Sequence, residues 1–136
     1  MQITFSKSEG RVLVMVMKIE GNIDAASYTE VINKAQEVYD TGMRDLLIDL
    51  SEVPFVSSAG LMSLNTVVKI FSGQSIQSSG GGRPSFKSIN KEADMPMREH
   101  VKLLNPQPEV EQVLDVVGLK EFFDIHTDFE TAVNSF

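Results

Sequence analysis

The run Leu46-Leu47-Ile48-Asp49-Leu50 is followed by a polar crossing, residues 51–56, and then by Ser57-Ser58-Ala59-Gly60-Leu61. The first run is apolar at nearly every position, which is typical of a strand covered on both faces. The two serines stand where a helix begins. Hydroxyls at a helix N-terminus lie beside free backbone N–H groups and the positive end of the helix dipole. Such a place can hold a phosphate, whether bound or covalently attached, whereas in the simpler interpretation the serines only cap the helix.

Length and composition are those of a single globular domain. The chain has 136 residues, of which 42% are hydrophobic and 23% charged, and this is enough to bury a sizeable core. We therefore expect one domain over residues 1–136. The formal net charge of −7 argues against nucleic acid or an anionic membrane surface as the main partner.

The sequence lacks the residues or motifs that several kinds of chemistry require. The sequence has no cysteine, which excludes disulfides, thiol catalysis and thiolate zinc sites. His100 and His126 do not stand in a metal-binding spacing, and His126 is interpreted as an ordinary surface residue. Gly80-Gly81-Gly82 lacks the ending of a P-loop, and residues 56–60 do not form a nucleophile elbow. Nothing in the sequence predicts an enzyme, a metal site or a cofactor.

Targeting signals are not visible either. The N-terminal residues lack a basic segment followed by an apolar one, and no apolar run approaches the roughly 20 residues that span a bilayer. We expect a cytoplasmic protein without membrane insertion.

Hydrophobic periodicity predicts the elements on either side of the central strand. Residues 3–6 and 12–17 are predicted to form a hairpin, and a helix is expected from about Ala25 to about Asp40, with Asp24 as its N-cap and Gly42 at its end. The helix opened by the two serines should bury Leu61, Leu64, Val68 and Phe71.

Beyond Phe71 the sequence turns rich in Gly, Ser and Gln, and residues 72–100 are predicted to be a long, flexible insertion. Regular structure resumes with a strand over residues 101–104 and a helix with Pro108 in its first turn, ended by Gly118. That helix should bury Val110, Val113, Leu114 and Val117. A last strand over residues 122–125 and a helix opened by a Thr127–Glu130 capping box complete the chain.

This order of elements predicts an α/β fold, in which amphipathic helices pack on one or both faces of a mixed β-sheet. A strand joined to the next through a helix implies a parallel, right-handed crossover.

Two motifs resemble those of a known family. Gly21-Asn22-Ile23-Asp24 precedes the first helix, and Ile48-Asp49-Leu50 leads through Ser57-Ser58-Ala59-Gly60-Leu61 into the second. Both resemble the STAS domain, in particular that of bacterial anti-sigma factor antagonists. The region from Val110 to Ile125 is similar to the third helix and last strand of that family, so the likeness covers about residues 2–71 and 101–136.

The resemblance implies a STAS-like fold and a regulatory binding module that is not an enzyme. The implied partners are an anti-sigma factor that is also a serine kinase, and a phosphatase that restores the unmodified form. Alignment on Phe55 and Gly60 places the phosphoacceptor at Ser58. Ser57 occupies a position where the family commonly has an acidic residue, which makes it a second candidate acceptor. The expected partner-binding residues are Asp24, Ser57, Ser58, Ala59, Gly60, Leu61 and Met62.

One alternative stays open. STAS-like domains also serve as scaffolds or small-ligand-binding modules in larger signalling or transport assemblies, without phosphorylation. The serine at position 57 and the long segment over residues 72–100 are the features that motivate this alternative.

Overall fold

A mixed sheet of five strands forms the centre of the computed structural model, which describes residues 1–71, 100–119 and 123–136. Its strands follow one another across the sheet in the order of the chain; β1 and β2 are antiparallel, and every later pair is parallel. The strands are β1 Gln2–Glu9, β2 Leu13–Glu20, β3 Leu46–Glu52, β4 Val101–Leu104 and β5 Asp124–His126. The described helices are α1 Tyr28–Asp40, α2 Ser58–Phe71, α3 Pro108–Val116 and α4 Phe129–Asn134.

The sheet is covered on both faces because side chains alternate along its strands. On β2, Met15, Met17 and Ile19 join a large apolar cluster with α1, α2 and α3. Val14 and Val16 point the other way, into a smaller cluster with α4. The predicted α/β fold is therefore confirmed, with three described helices on one face and the short C-terminal helix on the other.

The ends of several elements differ from the predictions. α1 begins at Tyr28 rather than near Ala25. The last strand begins at Asp124, two residues later than predicted. The N-cap of α4 is Asp128, not Thr127, because a carboxylate oxygen of Asp128 accepts the Thr131 N–H at 2.9 Å. Val117 lies beyond the end of α3 and is 44% exposed, so it does not belong to the buried stripe.

Other predictions hold. Pro108 is the first residue of α3, and both Gly42 and Gly118 have positive φ just beyond their helices. Apart from His100, which is exposed, the predicted insertion over residues 72–100 lies outside the described residues. Within the described part of the chain, no helix has the length and apolar character needed to cross a membrane.

The parallel arrangement determines where a site can form. Strands β2, β3 and β4 run in one direction, so the segments that follow them leave the sheet at the same edge. Gln107, after β4, donates its side-chain amide to the Ser51 carbonyl at 2.9 Å and so joins the segments that follow β4 and β3. The N-terminus of α2 lies in this group of segments.

Candidate functional site

The start of α2 is bound to the loop that follows β2. The Ile23 N–H donates to the Phe55 carbonyl at 3.0 Å, and the Ser57 N–H donates to the Ile23 carbonyl at 2.9 Å. Ile23 and Val56 thus form an isolated parallel bridge, and both side chains are buried. Backbone hydrogen bonds therefore join the loop containing Asp24 to the N-terminus of α2.

Gly60 allows this close approach. A Cβ atom at Gly60 would lie 2.7 Å from Val56 Cγ1 and in severe overlap with the Ile23 carbonyl oxygen. Since real Cβ atoms do not come so close to a carbonyl, a glycine is needed where α2 meets the loop. Gly60 and Leu61 are both buried, so their side of the helix packs against the protein.

The two serines have different surroundings. Ser57 is the N-cap of α2, because its Oγ accepts the Gly60 N–H at 3.2 Å and its carbonyl accepts the Leu61 N–H at 2.9 Å. Ser58 is the first residue of the helix and is exposed. Among the described residues, no side chain or backbone group forms a hydrogen bond with its hydroxyl. The capping interpretation therefore applies to Ser57, and the accessible hydroxyl belongs to Ser58.

Asp24 stabilises the turn before α1 instead of capping that helix directly. Its Oδ1 accepts the Ala26 N–H at 3.0 Å and the Ser27 hydroxyl at 3.2 Å. The Ser27 N–H and the Tyr28 N–H both donate to the Asp24 carbonyl. This turn occupies residues 24–27, and the regular helix can start only after it.

The remaining predicted partner-binding residues, Ala59 and Met62, are half-buried. They follow Ser58 on the first turns of α2. The accessible part of the predicted set is thus Asp24, Ser57, Ser58, Ala59 and Met62.

The described segments at the Ser58 edge of the sheet are acidic. The three segments that leave the carboxyl ends of β2, β3 and β4, residues 20–33, 50–68 and 105–117, contain no lysine or arginine. Glu20 and Glu52 are register partners on adjacent strands, and Lys18 Nζ lies 4.0 Å from Glu20 Oε1. The carboxylates of the three segments are those of Glu20, Asp24, Glu30, Glu52, Glu109, Glu111 and Asp115.

Sequence reasoning missed Phe55, which is 50% exposed in the loop between β3 and α2. A signal was present, because an aromatic residue after a proline interrupts a polar crossing. Only the structure shows that Val53 and Val56 are buried while Phe55 between them is half-exposed.

A second polar cluster lies on the opposite face of the sheet, near the C-terminal end of α4. Lys102 is buried and donates to Asp124 Oδ2 at 2.8 Å and to the Ser135 carbonyl at 3.1 Å. His126 Nε2 lies 3.1 Å from the same Asp124 oxygen, and its side chain is only 16% exposed, so its interpretation as an ordinary surface residue was wrong.

Burial of Asp124 opposes its ionisation, but the hydrogen bonds from Lys102 and His126 outweigh this effect and hold the pKa of Asp124 below its usual value. This cluster fastens α4 to the sheet. In the described part of the chain, no three histidine or carboxylate side chains are grouped so that they could hold a metal ion.

Comparison with solved structures shows the same fold in other proteins. The chain is similar to an anti-sigma factor antagonist from Mycobacterium paratuberculosis, with a TM-score of 0.64 and 19% identity over 98% of this chain and 93% of that one. It is also similar to the Bacillus cell fate determinant SpoIIAA in its phosphorylated form, with a TM-score of 0.60 and 15% identity over 98% and 97% of the two chains. SpoIIAA in its unphosphorylated form gives a TM-score of 0.63 at 16% identity, over 96% and 94%.

No curated protein matches the sequence. At these low identities, the structural likeness concerns the fold. The model of the STAS domain family matches residues 6–78, which include β2, α1, β3 and the Ser57–Ser58 start of α2. Because the family model matches more than half of its residues, this chain belongs to the STAS domain family.

Proposed function

We propose that this protein is a cytoplasmic anti-sigma factor antagonist, and that phosphorylation of Ser58 ends its binding to an anti-sigma factor that is also a serine kinase. It acts as a binding module rather than as an enzyme, and a phosphatase restores the unmodified form. The observation that supports this most directly is the contrast between the two serines. Ser58 offers an exposed hydroxyl at the first residue of α2, whereas Ser57 holds the cap.

The physical chemistry of the site is compatible with a switch that leaves the fold intact. A phosphate adds about −1.5 to −2 charges and three acceptor oxygens. At a helix N-terminus the dipole favours this charge by roughly 0.3–1 kcal/mol. The modified protein should therefore remain folded. The fold is also shared by SpoIIAA, which has been solved with and without phosphate.

Phosphorylation is expected to be unfavourable at the interface with the anti-sigma factor. A partner surface that fits a neutral hydroxyl would meet a dianion beside Asp24. Burying a charge without a partner is strongly unfavourable, so the complex should dissociate without refolding of either protein. The proposed contact surface around Ser58 consists of Asp24, Ser57, Ala59 and Met62. Gly60 and Leu61 are buried beneath this surface and pack against the rest of the protein.

Phosphorylation itself is tested with the anti-sigma kinase encoded nearest to this gene in the source genome. After incubation with kinase and ATP, mass spectrometry should find one phosphate on the wild type and on Ser57→Ala, and none on Ser58→Ala. Phosphate on Ser58→Ala but not on Ser57→Ala would identify Ser57 as the acceptor. A lack of phosphate on all three proteins would contradict the proposal.

Binding is tested with the same kinase and three proteins. Wild type and Ser58→Ala should bind, and Ser58→Asp should lose more than about tenfold in affinity, or roughly 1.4 kcal/mol. Equal binding by all three would favour the alternative, a STAS scaffold or ligand-binding module that works without phosphorylation.

A further inference from the structure

We propose that Phe55 is the aromatic anchor of the partner interface and that the partner receives it in an apolar pocket with a basic rim. This inference rests on the proposed function, since the partner is the anti-sigma factor that binds around Ser58. It adds the chemistry of the surface that recognises this protein.

The exposure of Phe55 is the first argument. At 50%, it is the most exposed aromatic side chain in the described part of the chain. Exposed aromatic rings on soluble proteins are frequent centres of binding energy, because they bury a large area with few rotatable bonds. A phenylalanine has no polar atom, so what it needs from a partner is an apolar pocket.

The rigidity of its loop is the second argument. Val53 and Val56 on either side are buried, and the Val53 N–H donates to the Leu50 carbonyl at 3.0 Å. The Phe55 carbonyl accepts the Ile23 N–H. Because these contacts hold the backbone in place, binding through the ring requires little ordering of the chain and retains more of its affinity.

The distance to Ser58 is the third argument. Three residues of extended chain span at most about 11 Å. A standard interface covers about 800 Å² on each partner, which is a much wider patch. A partner whose interface is centred on the Ser58 hydroxyl therefore reaches Phe55.

The charge around Phe55 determines which charge we expect at the rim of the partner's pocket. Seven carboxylates and no lysine or arginine occur in the three segments that leave this edge of the sheet, residues 20–33, 50–68 and 105–117. A partner surface of the same sign would be repelled, so the groups around its pocket should be basic. This long-range attraction speeds association, whereas the contact at Ser58 determines whether the complex persists.

The test measures affinity and association rate for the anti-sigma kinase of the source genome. Phe129 is 42% exposed on α4, whose apolar residues pack on the opposite face of the sheet, and Phe129→Ala is therefore the matched control. We expect Phe55→Ala to bind ~10- to 100-fold more weakly than the wild type, with Phe129→Ala unchanged. Raising the salt from about 50 to about 300 mM should slow wild-type association several-fold. Unchanged thermal melting of Phe55→Ala shows that its fold is intact.

The outcomes separate this inference from the proposed function. If Phe55→Ala binds like Phe129→Ala while Ser58→Asp still loses affinity for the kinase, the proposed role of Phe55 is wrong and the phosphorylation switch is still supported. If Phe55→Ala loses affinity but Ser58→Asp binds like Ser58→Ala, the proposed role of Phe55 is supported and the phosphorylation switch is wrong. If salt leaves association unchanged or speeds it, the basic rim is overturned. If the wild type does not bind, both proposals fail.

Discussion

Gly60 is the single residue at which one added carbon should do most harm near the site. In Gly60→Ala, the new methyl group would overlap the Ile23 carbonyl and Val56, and both belong to the bridge that holds α2 to the preceding loop. Overpacking of this kind typically costs about 1–3 kcal/mol. Urea unfolding should show this loss of stability. Ser58→Ala is the control, because an exposed substitution should change the free energy of unfolding by less than about 0.5 kcal/mol. A fully stable Gly60→Ala protein would show that the contact is looser than described.

Ser58→Asp should keep the protein at least as stable as Ser58→Ala. A carboxylate in the first turn of α2 interacts favourably with the helix dipole, by about 0.3–1 kcal/mol. Denaturant midpoints measured at low salt would detect the difference, which should shrink as salt is added. A marked destabilisation would mean that loss of binding by Ser58→Asp reflects unfolding, and it would remove this variant as a test of the switch.

For the candidate site, the helix pattern alone predicts that the accessible hydroxyl belongs to one of two adjacent serines, but it does not distinguish between them. The choice depends on which residue is the N-cap, and periodicity does not locate helix ends to one residue. The hydrogen bond from the Gly60 N–H to Ser57 Oγ decides it.

The sequence predicts the type and order of the helices and strands well. It predicts less well where each element ends and which of its faces is buried. Apolar spacing predicted α1, α2 and α3, but the turn at residues 24–27 delayed the start of α1. The apolar pattern of α2 also does not predict that some of its polar residues are buried. Ser63 and Thr66 satisfy their hydroxyls on the carbonyls of Gly60 and Met62 one turn earlier, and so they can be buried like apolar residues.

The sequence does not predict which face of the sheet each helix covers. Periodicity identifies an apolar stripe but not the partner on which the stripe packs. The attachment of α4 through Lys102 depends on residues far apart in the sequence, and no local pattern reveals it.

Attachment of α4 should depend on pH through Asp124. Its pKa is lowered in the folded protein, so its contribution to stability is fully present above its ordinary value of 3.8 and is lost as the pH falls through the lower folded value. Asp124→Asn should remove this dependence and, because buried Lys102 loses its anionic partner, cost about 1–3 kcal/mol at neutral pH.

Unfolding curves of wild type and Asp124→Asn between about pH 7 and about pH 2.5 would check this, since the stability gap should narrow as the acid end is approached. Asp128→Asn, at the exposed cap of α4, is the comparison that leaves Lys102 paired. Hydrogen bonds from Thr131 lower the pKa of Asp128 as well, so this variant controls for the loss of a titrating carboxylate and differs from Asp124→Asn in keeping the partner of Lys102. A constant gap across the range would mean that Asp124 does not titrate as described.

For the molecule as a whole, the two faces of the sheet should unfold together because β2 and β3 contribute side chains to both clusters. Val16→Ala in the smaller cluster should cost about 1–3 kcal/mol. The chain has two tyrosines and no tryptophan, and Tyr28 and Tyr39 both pack with the larger cluster. Tyrosine fluorescence and circular dichroism should therefore report the same shifted transition in Val16→Ala. Two separate transitions would show that the faces are independent units.

The position of α4 has a consequence for synthesis on the ribosome. The smaller cluster joins Val14 and Val16, near the beginning of the chain, to Ala132 and Val133, near the end of the sequence. Chains emerge from the N-terminus at about 5–20 residues per second, so this apolar face is made early and is covered only after the last helix has left the exit tunnel. For several seconds the nascent protein would expose an uncovered sheet, and this is the interval in which chaperones would be most needed.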